Sequence, residues 1–270
     1  MVPIDFLIFI GVGCVVGFSA GFFGVGGGML IVPILIFSYE QSGVSPAVLT
    51  HTAIGTSLFV IVFASFTSAY QHSKQGNIDW HSVFVLGFSS ALTALAATTL
   101  AAQLSGRHLQ IFFGLLVMAT AVRMLTESEA QARKKLEFLA KPGIPGLVGV
   151  GLAAGVVSAL AGVGGGVVTI PMMYYLLNMP LKLAIGTSSA TIVITALFSV
   201  VGYILNGLGR AGLPGWSIGF VDLQRGAALA IGTILMARVG AYVSFKTHPL
   251  RLRKIFALFA ILVSIYMLVK

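Results

Sequence analysis

Charged residues are scarce in this chain: Asp, Glu, Lys and Arg together make up 9% of its 270 residues, against roughly 25% in a soluble domain. Uncharged runs of about 20 residues, the length of a membrane-crossing helix, follow one another along almost the whole sequence. Mean hydropathy is +1.02. These values exclude an ordinary soluble domain and predict an integral membrane protein. The apolar runs lack strict alternation, so we expect an all-α fold.

Several kinds of chemical site are missing as well. Cys14 is the only cysteine, which excludes an intramolecular disulfide and any multi-cysteine metal or cluster site. The apolar runs carry no paired acids or histidines for a metal-dependent enzyme, and no glycine-rich stretch is followed by the Lys-Ser or Lys-Thr of a nucleotide-binding loop. The sequence therefore predicts neither an enzyme nor a cofactor.

Basic residues outnumber acidic ones, 16 to 7, giving a net charge of +9. In a membrane protein such residues sit in short loops, where they set topology and meet anionic lipid headgroups. We therefore expect the lipid bilayer as a partner and no nucleic acid.

The apolar segments form two sets of four, separated by the one strongly polar stretch. We predict a first repeat over 1–125, a charged cytoplasmic linker over 126–142 and a second repeat over 143–270. The predicted segments are 6–37, 44–70, 80–103 and 108–125 in the first repeat, and 147–177, 181–206, 221–246 and 251–268 in the second.

The first segment of each repeat is interrupted by the same motif, GVGGG, at 24–28 and at 162–166, with a proline five residues after it at Pro33 and Pro171. Each glycine costs about 1 kcal/mol in a helix interior, so three in succession predict a helix break. Open backbone at membrane depth must be buried in protein or line a cavity.

Further landmarks recur in the same order. AIGTS occupies 53–57 and 184–188, and Asp79 and Asp222 each precede the third segment of their repeat, where we expect them to cap helices. Such recurrence predicts an internal duplication. Loop charges favour a broken segment that enters and leaves on one side over one that crosses fully. The fold class predicted is thus an all-α membrane protein with two inverted-topology repeats, each with a glycine-broken, re-entrant first segment plus three transmembrane helices. Carriers and channels share this feature.

Helices that begin inside the membrane offer unpaired N–H groups and a partial positive charge to an anion. Close helix crossing is the alternative explanation of the glycines. The backbone candidates for substrate binding are Gly24, Gly26, Gly27, Gly28, Gly162, Gly164, Gly165 and Gly166.

The AIGTS segments add neutral donors, for which helix-to-helix hydrogen bonding is an equal alternative. The side-chain candidates are His51, Thr52, Thr56, Ser57, Thr187, Ser188, Ser189 and Arg238. A histidine side chain has a pKa that suits a carrier of a coupled proton, so His51 is a candidate for that role. The alternative is a histidine that lies at the membrane interface. Arg238 lies inside a predicted span, where it either contacts substrate or snorkels to the membrane surface.

The paired stretches GFFGVGGGMLIVPIL and ALAGVGGGVVTIPMM, each followed by A-x-G-T-S, resemble the TauE/SafE family of sulfite exporters, also called TSUP, over essentially the whole chain. The resemblance implies a multi-pass protein of the bacterial inner membrane that moves sulfite or another small sulfur-containing or organic anion. Arg238 is not expected from the family pattern. We expect a secondary transporter that exports sulfite or a short organosulfonate by alternating access and is coupled to protons or sodium. The alternatives are an anion channel with two re-entrant loops and a membrane scaffold or receptor. A homo-oligomer is compatible with the sequence.

Overall fold

The computed structural model describes residues 3–24, 26–126, 142–247 and parts of 254–269. Residues 127–141, which make up nearly all of the predicted linker and include Arg133, Lys134 and Lys135, lie outside the described residues. The described chain is almost entirely helical, so the predicted all-α class is confirmed.

The helices follow the predicted segments closely. The first half of the chain contains α1 (Pro3–Phe23), α2 (Gly28–Gln41), α3 (Pro46–Lys74), α4 (Trp80–Ala101) and α5 (Gly106–Thr126). The second half contains α6 (Ile144–Ala161), α7 (Gly166–Tyr175), α8 (Leu181–Gly207) and α9 (Leu223–Lys246), and the described residues of 254–269 are also helical.

A short antiparallel hairpin precedes α9 and was not predicted. Its strands are β1 (Ser217–Ile218) and β2 (Val221–Asp222), with Ser217 opposite Asp222. The hairpin delays the start of α9 to Leu223, and the carboxylate of Asp222 accepts hydrogen bonds from the N–H groups of Gln224 and Arg225. The predicted capping role of Asp222 is confirmed. Asp79 is at the N-cap position of α4, but its side chain accepts no backbone hydrogen bond there, so the prediction for its carboxylate is wrong.

Six helices are long and apolar enough to cross a membrane, judged by length and composition alone: α1, α3, α4, α6, α8 and α9. Helix α2, after the first glycine motif, is a shorter apolar helix. Exposed Leu, Phe, Val and Ile side chains are spread over the outer faces of these helices, as expected where lipid replaces water. The protein is a multi-pass membrane protein.

Helix α1 lies directly against α9 through a row of glycines. Gly13, Gly17 and Gly21 face the α9 backbone in order, and a Cβ atom at Gly17 would lie only 2.5 Å from the Cα atom of Thr233. A Cβ atom at Gly21 would likewise collide with the backbone of Ala237, one turn further along α9. The contacts advance together along both helices, so α1 and α9 run in the same direction. Small residues at four-residue spacing permit this close approach.

Helix α6 meets α4 in the same manner. Gly151 lies against Ser89, and Gly155 lies against Ser90 and Thr93, so these two helices also run in the same direction. Each broken segment therefore packs on a helix from the other half of the chain.

The long helices α3 and α8 cross at the centre of the protein in opposite directions. Ile61 of α3 and Ile192 of α8 lie close together, and further along α3 the hydroxyl of Ser68 lies 3.2 Å from that of Ser189, at a lower number on α8. Both isoleucines are almost completely buried. These two helices form the frame against which both glycine motifs pack.

Candidate functional site

Both GVGGG motifs break their helices, as predicted. Helix α1 ends at Phe23 and α2 begins at Gly28. The intervening chain uses left-handed backbone, with φ of 76° at Gly26 and 81° at Gly27. The second motif repeats this geometry, with φ of 69° at Gly164 and 83° at Gly165. Residues with a Cβ atom rarely adopt such angles, which explains why glycine is required there.

The two breaks touch each other. A Cβ atom added to Gly28 would collide with the carbonyl oxygen of Gly162 and would lie 2.7 Å from the Cα atom of Val163. Gly26 and Gly164 pack on the same pair of side chains, those of Ile61 and Ile192. The N-termini of α2 and α7 thus lie at one place in the centre of the protein. The first N–H groups of each helix have no acceptor within the helix, and each N-terminus carries about half a positive charge.

The threonines of the two AIGTS segments hold the loops before α4 and α9. The hydroxyl of Thr56 accepts a hydrogen bond from the N–H of Asp222 at 2.9 Å, and that of Thr187 accepts one from the N–H of Asp79 at 3.0 Å. Thr56 also lies 3.2 Å from the hydroxyl of Tyr39. These hydrogen bonds attach the residues before α4 and α9 to α8 and α3.

The serines of the two AIGTS segments differ from each other. Ser57 donates to the carbonyl of Gly162 at 2.8 Å and so attaches α3 to the second break. Ser188, at the equivalent place in the second AIGTS, is completely buried, and its hydroxyl has no hydrogen-bond partner among the described residues. Ser189 donates to the carbonyl of Ile185 at 3.0 Å, and Thr52 donates to that of Val48 at 2.9 Å. Of the predicted hydroxyls, Ser188 is therefore the one left free to bind a ligand.

A second free hydroxyl, which sequence reasoning missed, belongs to Ser65 on α3. Its Oγ atom lies 3.1 Å from the position of a Cβ atom on Gly26, at the first break. The side chain is 1% exposed and has no hydrogen-bond partner among the described residues. A sequence signal existed, because Ser65, Ser68 and His72 recur at the spacing that places residues on one face of a helix.

His51 lies apart from the breaks. Its Nε2 atom is 3.1 Å from the carbonyl oxygens of both Ala101 and Leu104, and its ring packs on Phe220. Ten residues separate it from Ile61, which is about 15 Å of helix. The structure therefore places His51 as a tie between the start of α3 and the connection from α4 to α5.

Arg238 also lies away from the breaks. Its side chain is exposed on the outer face of α9, and its Nε atom donates to the amide oxygen of Gln71 at 3.3 Å. This position is the one that the snorkelling alternative predicts for an arginine near the end of a membrane helix.

A cavity of about 780 Å³ opens near the start of α9, between α1, α2 and the hairpin. Its arginine, Arg225, forms an ion pair with Asp222 at 3.0 Å and donates to Ser42 at 2.7 Å. The guanidinium also lies 4.8 Å from the ring centre of Tyr39. The positive charge is thus already matched by an acid, so this cavity offers an anion less than the glycine breaks do.

Comparison with known proteins identifies relatives along the full length of the chain. The family model described as Sulfite exporter TauE/SafE matches residues 9–267. A probable membrane transporter protein of Haemophilus influenzae is 31% identical over 96% of both chains. One from Methanocaldococcus jannaschii is 30% identical over 90% of this chain and 87% of its own. No solved structure matches. The predicted resemblance and the prediction of a transporter rather than an enzyme are both confirmed.

Proposed function

The chain belongs to the sulfite exporter TauE/SafE family, and on that premise we propose that it is a secondary carrier exporting a small sulfur-containing anion, sulfite or a short organosulfonate, across the bacterial inner membrane. One observation carries the proposal. The N-termini of two helices meet in the centre of the protein beside the buried and unpartnered hydroxyl of Ser65. The unpartnered hydroxyl of Ser188 is on α8 between Ile185, which packs on Gly24, and Ile192, which packs on Gly26 and Gly164.

These groups suit a small oxyanion. Two helix N-termini together provide about one positive charge without any basic side chain, and their N–H groups donate to anionic oxygens. Ser65 and Ser188 add hydroxyl donors, and sulfite or a sulfonate has three oxygens that accept hydrogen bonds. A site without a lysine or arginine also releases its anion more readily, as a carrier requires.

Helix directions support the proposed inverted repeats. Gln71 of α3 contacts Arg238 of α9, while Phe59 lies against Gly226 earlier on both helices, so α3 runs with α9 and therefore with α1. Helices α4, α6 and α8 share the other direction, because Ser90 pairs with Thr195 and Thr98 lies against Gly202 further along both. Counterparts in the two halves are thus oppositely directed, as alternating access between inverted repeats needs.

The same directions support the re-entrant form of the broken segments. Since α1 and α3 run the same way, the chain has to return through α2 before α3 begins. The packing of the breaks also favours a carrier over a channel. Gly28 is in contact with Gly162, and Ile61 and Ile192 fill the space beside them, so an anion passes only if the breaks move apart.

Sulfite flux into proteoliposomes tests the proposal. We expect saturable uptake and counterflow, and we expect the double variant Ser65→Ala, Ser188→Ala to raise the half-saturating concentration at least about tenfold, because a hydrogen bond to a charged group contributes about 1.5–3 kcal/mol. Thr67→Ala is the matched control, since Thr67 is a hydroxyl on α3 bonded to the Phe63 carbonyl near the outer surface. Strictly non-saturating flux would identify a channel, and the absence of any sulfite flux would refute the proposal.

A further inference from the structure

We propose that His72 carries the coupling proton, so that the anion at the glycine breaks and a proton on the His72 imidazole cross the membrane together. Export in this mode is driven by the outward gradient of the anion, which carries the proton out with it. The inference rests on the proposed carrier function and assigns its coupling ion. His72 lies near the end of α3, two turns beyond Ser65 on the same face, which is about 10 Å of helix.

The surroundings of His72 are unusual for a histidine inside a membrane protein. The residue is 2% exposed, and neither ring nitrogen makes a hydrogen bond of acceptable geometry to a described residue, although the Gly21 carbonyl lies beside the ring. The His72 Cβ atom is 3.2 Å from the Cβ position of Gly186, two residues before Ser188. The imidazole therefore sits between the last turn of α1, next to the first break, and the free serine of α8. Buried polar groups without partners are exceptions, and here the group is one that binds a proton.

Hydroxyl groups lie between His72 and the breaks. Ser65 lies at the first break, and Ser68, between Ser65 and His72 on α3, is 3.2 Å from the hydroxyl of Ser189. Ser188 adds a further buried hydroxyl on the α8 side. We call Ser65, Ser68 and His72, together with Ser188 and Ser189 opposite them, the α3 track. Its one interhelical hydrogen bond joins Ser68 and Ser189, and since each hydroxyl can donate and accept, the track sets proton-binding groups at intervals between the breaks and the imidazole.

No protein charge near His72 is placed to balance a protonated imidazole. Among the described residues, none forms an ion pair with it. The titratable and charged groups on the elements around it are Tyr70 and Lys74 on its own helix, Asp79 after the following loop, Lys182 on α8, and Arg238 and Lys246 on α9.

Four of these six groups are basic, and each of the six has another contact. Lys74 lies over the Tyr70 ring, Lys182 donates to the carbonyl of Phe245 at 2.7 Å, and the one acid, Asp79, accepts from the hydroxyl of Ser82. Asp79 keeps its negative charge but forms no ion pair with His72, so an anion at the breaks supplies a further negative charge to a protonated imidazole. With about 10 Å between the anion and the imidazole and an effective dielectric constant of about 20, the anion raises the ratio of protonated to neutral His72 on the order of tenfold.

The other half of the protein lacks an equivalent track. Aligned through AIGTS, Ser65 corresponds to Ala196 and His72 to Tyr203. Tyr203 occupies the same place, with its Cβ atom 3.2 Å from the Cβ position of Gly55, but its hydroxyl donates to the Ala159 carbonyl at 2.6 Å. Ser199, which corresponds to Ser68, pairs with Ser158 at 3.2 Å. Among the described residues of the two halves, only the α3 track therefore ends in an imidazole, a side chain that binds and releases a proton, without a hydrogen-bond partner.

His72→Gln is the test, and His51→Gln is its matched control, because His51 is an equally buried histidine on the same helix whose ring contacts two carbonyls instead. Sulfite binding to purified protein is measured by calorimetry in buffers of different ionisation enthalpy, which gives the protons taken up with each anion. Sulfite itself titrates near neutral pH, and that contribution is common to all three proteins. We expect wild type and His51→Gln to take up more protons per sulfite than His72→Gln.

Transport provides the second measurement. In proteoliposomes, a pH gradient should drive sulfite accumulation by wild type and His51→Gln, whereas His72→Gln should retain sulfite counterflow and lose accumulation. If His72→Gln fails to insert, His72→Asn serves in the same assays. Proton uptake and gradient-driven accumulation equal to wild type in the variant would overturn the assignment to His72. Failure of wild type to bind or move sulfite would instead refute the proposed function, so the two failures are distinguishable.

Discussion

Gly28→Ala tests directly whether contact between the two glycine breaks matters. Gly28 is the first residue of α2 and does not have a positive φ, so an added methyl group brings no backbone strain. Its effect comes only from the space that it needs. The new Cβ atom would collide with the Gly162 carbonyl oxygen and would lie 2.7 Å from both the Ile61 Cδ1 atom and the Val163 Cα atom, where ordinary contact begins at 3.4 Å.

The magnitude follows from that misfit. The methyl group needs about 0.7 Å more room, the difference between 3.4 and 2.7 Å, and backbone atoms of the second break cannot rotate away as a side chain does. Overpacking costs about 1–3 kcal/mol, and the higher helix propensity of alanine offsets at most about 1 kcal/mol. We therefore expect the free energy of unfolding to fall by about 1–2 kcal/mol. Sulfite flux should fall as well, because we expect each transport cycle to re-form this contact, and a cost of about 1.4 kcal/mol on the re-formed contact lowers its population about tenfold.

Thermal unfolding in detergent and sulfite counterflow in proteoliposomes measure the two effects. The matched control is Gly149→Ala on α6, because Gly149 is also in a membrane helix and a Cβ atom there would have no neighbour within 4 Å. This control should be as stable and as active as wild type, or slightly more stable. If Gly28→Ala matched the control in both assays, the breaks would not be in functional contact and the reasoning would be refuted.

Two further substitutions test the scaffold and the periphery. Thr187→Val leaves the N–H of Asp79 without its acceptor, so the free energy of unfolding in detergent should fall by about 1–3 kcal/mol. The control, Thr99→Val on the exposed face of α4, should have little effect. Equal stability of the two variants would contradict the anchoring role of Thr187. Arg238→Gln should leave sulfite affinity within about twofold of wild type, because the arginine contacts Gln71 at the surface and an exposed pair contributes at most about 1 kcal/mol. A large loss of sulfite affinity in calorimetry would instead place Arg238 at the substrate.

Much of the fold was accessible from the sequence, since lipid leaves few choices. Apolar runs of span length have to be helices in a membrane, and three consecutive glycines have to interrupt them. Gly13, Gly17 and Gly21 have the four-residue spacing of a close helix contact, but their partner, α9, lies in the other half of the chain. Such long-range pairing has no local signal. The hairpin before α9 was missed because four paired residues carry too little pattern to be recognised.

The candidate site was less accessible. Hydroxyl-rich stretches look alike whether their groups bind a ligand or another part of the protein, and only the hydrogen bonds of Thr56, Ser57 and Thr187 reveal that these three are engaged. His51 drew attention because it stands beside AIGTS, yet its position along the helix separates it from the breaks. Ser65 and His72 were overlooked since they lie outside any repeated motif.

Ser65 and His72 lie outside the repeated motifs for a physical reason. An inverted duplication repeats what both halves need in order to fold, and the repeated threonines do the same work twice by holding Asp79 and Asp222. A group that binds a coupling proton, by contrast, is needed only once in a carrier, so one half can supply it alone. Ser65 and His72 correspond to Ala196 and Tyr203 in the alignment of the halves, and both carry polar atoms without a partner among the described residues. In a duplicated carrier, the positions where the halves differ are therefore where coupling is to be sought.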